Sequence, residues 1–159
     1  MKTMRSVAEL VLWLAIVALA AILGSLATGP ALPDWYERLR KPWFSPPNWL
    51  FGPVWTVLYV MMAVSAWLVM RRAGQMVVAP ALFLFLVQLA VNAGWSLVFF
   101  GLHSPGHALV VLIALWLLIV ATIAVFWRVS AWAGGLLLPY LAWVSFAGVL
   151  NWAIWRLNM

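Results

Sequence analysis

The spacing of charged residues constrains this chain more than any other feature. Glu9 and Asp34 bracket 24 uncharged residues, Lys41 and Arg71 bracket 29, Arg72 and Arg128 bracket 55, and Arg128 and Arg156 bracket 27. A helix that crosses a hydrocarbon core needs about 20 apolar residues. Three gaps therefore hold one helix each. The longest holds two and carries its own break at Gly101-Leu102-His103-Ser104-Pro105-Gly106-His107, where Pro and Gly mark a turn. The predicted spans are about 7–28, 48–70, 79–101, 106–127 and 131–155. They are long and lack alternation of period two, so they are helices and not barrel strands. The fold class is all-α: a polytopic membrane protein, a bundle of five transmembrane helices in one domain, 1–159, with a structured lid loop at 29–47 between the first two.

Composition agrees. Hydrophobic residues make up 68% and charged residues 8%, against about 25% charged in a soluble domain. A water-soluble sphere of this size cannot hide so much apolar surface, so lipid is the solvent for much of it. The nine Lys and Arg lie singly or in pairs between apolar runs. That placement suits membrane flanks and excludes a nucleic-acid patch. The chain has no cysteine, hence no disulfide and no thiolate metal site. Met1-Lys2-Thr3-Met4-Arg5 would serve a signal peptide, but the apolar stretch runs on to Ala27 and Glu9 interrupts its start. A retained first span is expected. Lys2, Arg5, Arg71, Arg72 and Arg128 share one side of a five-span protein, and Arg38, Arg40, Lys41 and Arg156 the other. This balance places the N-terminus on the cytoplasmic side.

The connection from Gly29 to Asn48 is rich in Pro and aromatics. Asp34 is placed to cap a short helix with Glu37 as its capping-box acid. Pro42 would end that helix, and Pro46-Pro47 would stiffen the chain into an extended form. Trp35, Tyr36, Trp43 and Phe44 suit an interfacial aromatic belt; they equally suit a lid over a cavity between helices.

Inside the spans, Gln88, Asn92, Trp95 and Phe99 fall on one helical face, as do Trp55, Tyr59 and Met62, and Trp143, Ala147 and Asn151. Amides in hydrocarbon must find partners, so Gln88, Asn92 and Asn151 are expected to face the bundle interior. Either they only bond neighbouring helices together, or they help line a shared aromatic pocket. Catalytic constellations are thin. There is no paired carboxylate, Ser-His-Asp set, phosphate loop or HExxH. His103 and His107 are separated by Pro105 in a turn, with no acid nearby, so no metal site is expected. Gln, Asn and Trp bind and orient ligands, but they do not run acid–base chemistry at neutral pH.

Trp35-Tyr36, Lys41-Pro42-Trp43, Pro46-Pro47-x-Trp49 and Gly52-Pro53-Val54-Trp55-x-x-Leu58-Tyr59 resemble the first-loop signature of the TspO family, which includes tryptophan-rich sensory proteins and the mitochondrial translocator protein, or peripheral-type benzodiazepine receptor. Gln88-Leu89-Ala90-x-Asn92-x-x-Trp95-x-x-x-Phe99-Phe100 resembles the family's third-helix motif. Pro139-Tyr140-Leu141-Ala142-Trp143-x-x-Phe146-Ala147 and Leu150-Asn151 resemble its fifth. The resemblance implies a homodimer and a pocket that opens toward the first loop. It implies binding of protoporphyrin IX, haem-like tetrapyrroles, sterols or benzodiazepine-type drugs, with no obligatory cofactor. Carried over residue by residue, the ligand-binding set is Trp35, Trp43, Trp49, Trp55, Tyr59, Gln88, Asn92, Trp95, Trp143 and Ala147. Trp55 and Trp143 match tryptophans tied to light-dependent porphyrin breakdown, the one catalytic role in view. The family's sterol motif centres on a Tyr. Leu150, Trp152 and Arg156 stand in its places here, so weak sterol binding is expected. The GxxxG of mammalian members is replaced by Phe83 and Val87, and Ala90 with Gly94 is the small-residue alternative for a dimer.

Three functions follow as expectations: a tetrapyrrole-binding sensory or translocator protein, a weak photochemical enzyme that destroys bound porphyrin, or a secondary transporter of another small hydrophobic molecule. The first leads, because a coupled transporter usually shows an intramembrane acid or broken helices.

Overall fold

The computed structural model describes residues 2–72 and 74–159. Its helices are α1 (Lys2–Ala31), α2 (Asn48–Met70), α3 (Val78–Ser96), α4 (Pro105–Val129), α5 (Ala131–Leu136) and α6 (Leu138–Leu157). Together they supply five segments long and apolar enough to cross a membrane, the last being α5 and α6 in succession. The fifth span is divided at Leu137 because Pro139 has no N–H to continue the ladder, and the preceding Gly134-Gly135 pair is a weak helix former.

Around the bundle the order is α1, α2, α5 with α6, α4, α3, and back to α1. Leu12, Leu19, Leu26, Val57, Val60, Val110, Leu117 and other large apolar side chains are exposed along the outside. In water that pattern would drive aggregation; in a bilayer it is the lipid contact. Packing inside relies on shape and hydrogen bonds, since lipid tails are as apolar as Leu. Close approach uses glycine where it must: a Cβ on Gly134 would lie 2.6 Å from the Trp127 ring and 3.1 Å from its Cα.

The two ends of the bundle differ. Toward residues 71–77 it is clasped shut. Trp67 Nε1 donates to the Ser6 carbonyl at 2.9 Å, Trp13 Nε1 to Met70 Sδ at 3.0 Å, and Ser65 Oγ to the Ala133 carbonyl at 2.6 Å. Toward the first loop, α2 stands apart from α6, and aromatic rings occupy the space: Phe51 on Trp143 with centroids 6.1 Å apart, and Trp55 on Tyr140 at 6.2 Å.

The first connection corrects the sequence reading. Residues 29–38 are not loop. The first helix runs on through a π-helical turn, Leu32–Tyr36, and two further helical residues, so the true connection is 39–47. Pro30 lies inside the α-helical part, and Pro33 lies in the π-helical turn, whose wider i→i+5 path accommodates there what an α-turn would not. Asp34 therefore caps nothing; it lies 3.9 Å from Arg38 in a solvent-exposed i,i+4 pair. Glu37 is not a capping-box acid. It accepts from Asn48 Nδ2 and from Lys41 Nζ, tying the loop to the start of α2. Pro42 lies in a turn closed by Ser45 N–H on its carbonyl at 3.0 Å. Pro47 has the extended geometry expected of a Pro-Pro step, φ −64° and ψ 146°. The loop is fastened to the far end of the chain by Asn158, whose Oδ1 accepts from the Arg40 N–H and whose Nδ2 donates to the Arg40 carbonyl.

Five spans place the termini on opposite sides. Because the chain has no cysteine, single cysteines report cleanly at Met4, Trp43, Met76 and Met159, all more than two-thirds exposed. Met4→Cys and Met76→Cys are expected to label from one face of a sealed membrane, and Trp43→Cys and Met159→Cys from the other. Labelling of Met4→Cys and Met159→Cys from the same face would overturn this topology.

Candidate functional site

A cavity of about 490 Å³ opens between α1, α2 and α3 at the first-loop end. Volumes of about 300–1,000 Å³ are typical of small-molecule sites. Trp49, Phe51, Trp55 and Tyr59 of α2 form one wall, and Trp95 and Phe100 form another. The α1 side is lined by Ala21, Gly24 and Thr28. Its small residues leave room for a guest and let α1 approach α3: a Cβ on Gly24 would lie 3.2 Å from Ser96 Oγ. The lining is mainly apolar and aromatic, with hydroxyls at Tyr59, Ser25, Thr28, Thr56 and Ser96 and an amide at Asn48. Among the described residues, no charged side chain lines it.

The cavity is bounded inward by a line of hydrogen bonds. Tyr59 O–H donates to Asn92 Oδ1 at 2.8 Å, Asn92 Nδ2 donates to the Tyr140 hydroxyl at 2.9 Å, and Tyr140 O–H donates to Gln88 Oε1 at 3.0 Å. Gln88, Asn92 and Tyr140 are each about 1% exposed. Among the described residues Gln88 Nε2 has no hydrogen-bond partner. Nearby, Trp95 Nε1 donates to Asn151 Oδ1 at 3.1 Å, and Asn151 Nδ2 donates to the Pro105 carbonyl at 2.8 Å. Asn151 thus links α3, α4 and α6.

The expected site residues separate by where the fold places them. Trp49, Trp55, Tyr59 and Trp95 line the cavity. Gln88 and Asn92 face the interior as their helical spacing predicted, but they lie in the hydrogen-bonded line behind Tyr59 and not on the cavity surface. Trp143 and Ala147 pack against the main apolar core on the α6 side, with Trp143 separated from the cavity by Phe51. Trp35 packs edge-on against Phe99 and stacks on His103 with centroids 4.5 Å apart. Trp43 is 95% exposed, touching Phe44 edge-on at 5.7 Å, and does not reach the cavity. Phe44 is the loop residue that turns inward, against Phe146.

Leu150, Trp152 and Arg156 do not share a face. Leu150 is buried in the core, while Trp152 and Arg156 point outward. Trp152 borders a separate apolar groove of about 480 Å³ between α4 and α6, floored by Gly148. His107 Nδ1 lies 2.8 Å from Ser104 Oγ, and His103 adopts φ 50°, a left-handed turn that lets α4 start at Pro105.

Sequence reasoning missed Tyr140, although it lies within the fifth-span motif, and it missed α1 altogether. The run of Gly24, Ser25 and Thr28 near the end of a span otherwise built mainly of Ala and large aliphatic residues was the available signal.

Comparison with known proteins adds the following. A sequence profile of the TspO/MBR family matches residues 12–156. A tryptophan-rich sensory protein from Cereibacter sphaeroides is 40% identical over 149 residues, 92% of each chain. A tryptophan-rich protein TspO from Chlorobaculum tepidum is 41% identical over 155 residues, 97% of this chain and 98% of its own. The translocator protein of Homo sapiens is 42% identical over 127 residues, 78% of this chain and 75% of its own.

Proposed function

Since the chain belongs to the TspO/MBR family and is a multi-pass membrane protein, we propose that its bundle binds a tetrapyrrole such as protoporphyrin IX in a sensory or translocating role. The observation that carries this reading is the cavity. It is about 490 Å³, open toward the first loop, and walled by the aromatic faces of Trp49, Phe51, Trp55, Trp95 and Phe100. Flat π-rich guests stack on such rings, gaining about 0.5–1.5 kcal/mol for each aromatic pair beyond area burial. Tyr59 supplies the polar contact that fixes orientation in an otherwise apolar site. Benzodiazepine-type molecules, though puckered at the seven-membered ring, bring aromatic faces and a hydrogen-bonding carbonyl or imine edge to the same rings and hydroxyl.

The test is titration of the purified protein with protoporphyrin IX in the dark, followed by tryptophan fluorescence. Saturable quenching that weakens on Trp55→Ala supports the reading. Quenching that is linear in porphyrin, or untouched by that change, overturns it. Repeating the titration under light separates binding from photochemical breakdown.

Sterol binding is proposed to be weak. Trp152 lacks the phenolic hydroxyl that would bond to a sterol hydroxyl, and Leu150 is turned into the core. Cholesterol affinity is expected to rise several-fold on Trp152→Tyr. Tight binding by the native chain that this change leaves unaltered would refute the expectation. A homodimer through α3 is proposed as well. Ala90 is outward-facing, and a Cβ on Gly94 would meet nothing within 4 Å, so this stretch can receive a second helix closely.

A further inference from the structure

The hydrogen-bonded line Tyr59–Asn92–Tyr140–Gln88 has a direction. As drawn, Gln88 Oε1 accepts from Tyr140, Tyr140 accepts from Asn92, and Asn92 accepts from Tyr59. Tyr59, whose ring lines the cavity, has therefore given its proton away inward. What it has left for a guest is a lone pair. The cavity end of the line is an acceptor because the buried end, Gln88, is one.

Nothing in the geometry fixes that direction. Oxygen and nitrogen of an amide exchange places by a half-turn of the side chain, and the two assignments are nearly indistinguishable by shape. Turn both amides and every bond reverses. Gln88 Nε2 then donates to Tyr140, Tyr140 to Asn92 Oδ1, and Asn92 Nδ2 to Tyr59. The Tyr59 O–H is released into the cavity as a donor. The drawn direction leaves Gln88 Nε2 as an unpartnered buried donor. The reversed one leaves Gln88 Oε1 in its place, and an unpaired carbonyl is the better tolerated of the two. The drawn direction in turn satisfies the Tyr59 O–H, which the reversed one leaves to a guest. Without a guest the drawn arrangement leaves one group in want of a partner, the Gln88 Nε2 donor, and the reversed one leaves two, the Gln88 carbonyl and the Tyr59 O–H, the second of which a carbonyl guest satisfies.

We propose that this line is a reversible relay that lets the cavity wall present either an acceptor or a donor, with the guest selecting the direction. A guest with an N–H or O–H edge keeps the drawn direction; one with a carbonyl or carboxylate edge reverses it. Gln88 touches no guest and is a positioning residue. Its amide is the one terminus able to end the line both ways. The inference rests on the reading that flat aromatic guests enter this cavity, and it adds that their edge polarity is read adaptively from a position behind the wall.

Carbazole and 9-fluorenone are flat tricycles of similar size, the first with an N–H edge and the second with a C=O edge. Gln88→Leu removes the inner acceptor, so the Tyr140 O–H must turn to Asn92 and the line locks in the reversed direction. The ratio of the two dissociation constants, measured by calorimetry in detergent micelles, is expected to move about five- to tenfold in favour of fluorenone, the scale of one hydrogen bond. A loss of packing alone weakens both probes together and leaves the ratio where it was. A ratio within twofold of the native value overturns the relay. The native protein supplies a second readout that needs no core variant. The infrared carbonyl band of bound fluorenone is expected at lower wavenumber than in hydrocarbon, returning to the hydrocarbon position in Tyr59→Phe. An unshifted band in the native complex also overturns the relay. Failure of both probes to bind the native protein overturns the cavity reading and the relay with it, whereas binding with an unmoved ratio overturns the relay alone.

Discussion

Replacing Trp55 and Trp143 together by Phe is expected to abolish most of the light-dependent loss of bound protoporphyrin IX while leaving measurable binding in the dark. An illuminated porphyrin sensitises oxidation, and indole is among the side chains most easily oxidised. Phe keeps an apolar ring and removes the electron-rich indole with its N–H. The two positions are unequal in this structure. Trp55 lines the cavity, whereas Trp143 is reached through Phe51 and packs against Phe146 at 5.5 Å. Trp55→Phe alone is therefore expected to account for the greater part of the effect, with a cost in dark affinity of about 0.5–1.5 kcal/mol. Trp143→Phe is expected to cost less in binding and to slow bleaching only partly. Porphyrin absorbance followed with time, lit and dark, decides the matter. A double variant that bleaches at the native rate would show that these indoles are ordinary packing.

Tyr140→Phe is expected to destabilise the bundle more than any other single-atom deletion in its interior. The hydroxyl is buried and bonded on both sides, so its removal strands Asn92 Nδ2 and Gln88 Oε1 together. A buried polar group left without a partner costs about 1–3 kcal/mol. In membranes such losses run toward the low end, because the separated helices also find partners. The loss is read as a fall in thermal midpoint in detergent. Adding Tyr59→Phe, Asn92→Leu and Gln88→Leu to Tyr140→Phe is expected to recover much of it, since an apolar replacement of the whole network, Tyr59 included, strands nothing. A single variant as stable as the native chain would mean that the line contributes no net stability.

The charge gaps were enough for the number of spans, because a charge in hydrocarbon is so costly that its absence over 20 residues has one ordinary explanation. The faces of Gln88, Asn92 and Phe99 were legible for a related reason. Amides must turn inward, and helical geometry carries their neighbours with them. What escaped is what depends on how one span is rotated against another. In helices apolar all round, such as α1, the sequence has little amphipathic pattern to reveal the inner face. The part played by Gly24 and Thr28 was hidden for that reason. Tyr140 escaped because its hydroxyl matters only through partners on α3, which no spacing within α6 reveals. Trp43 misled for the opposite reason: its neighbours Pro42 and Phe44 marked a structured loop correctly, but the turn there sends Phe44 inward and Trp43 outward. The continuation of the first helix past Pro33 escaped because proline ordinarily reads as a stop, and the π-turn that absorbs it leaves no local signature.

The single residue Ser130 between α4 and α5 bears on how the chain enters a bilayer at all. Its extended backbone, φ −157° and ψ 119°, is the whole connection, and Gly134 packs directly against Trp127 across it. A tether that short leaves the fourth and fifth spans no freedom to partition separately once both have been made. They are expected to enter the bilayer as one helical hairpin whose turn, with Arg128 beside it, stays on the N-terminal side while the C-terminus is carried across. Lengthening the hairpin turn with a flexible insert after Ser130 would uncouple the two insertions. The expected result is a fraction of chains with the C-terminus stranded on the wrong side, which glycosylation tags at Met159 would count during synthesis into microsomes.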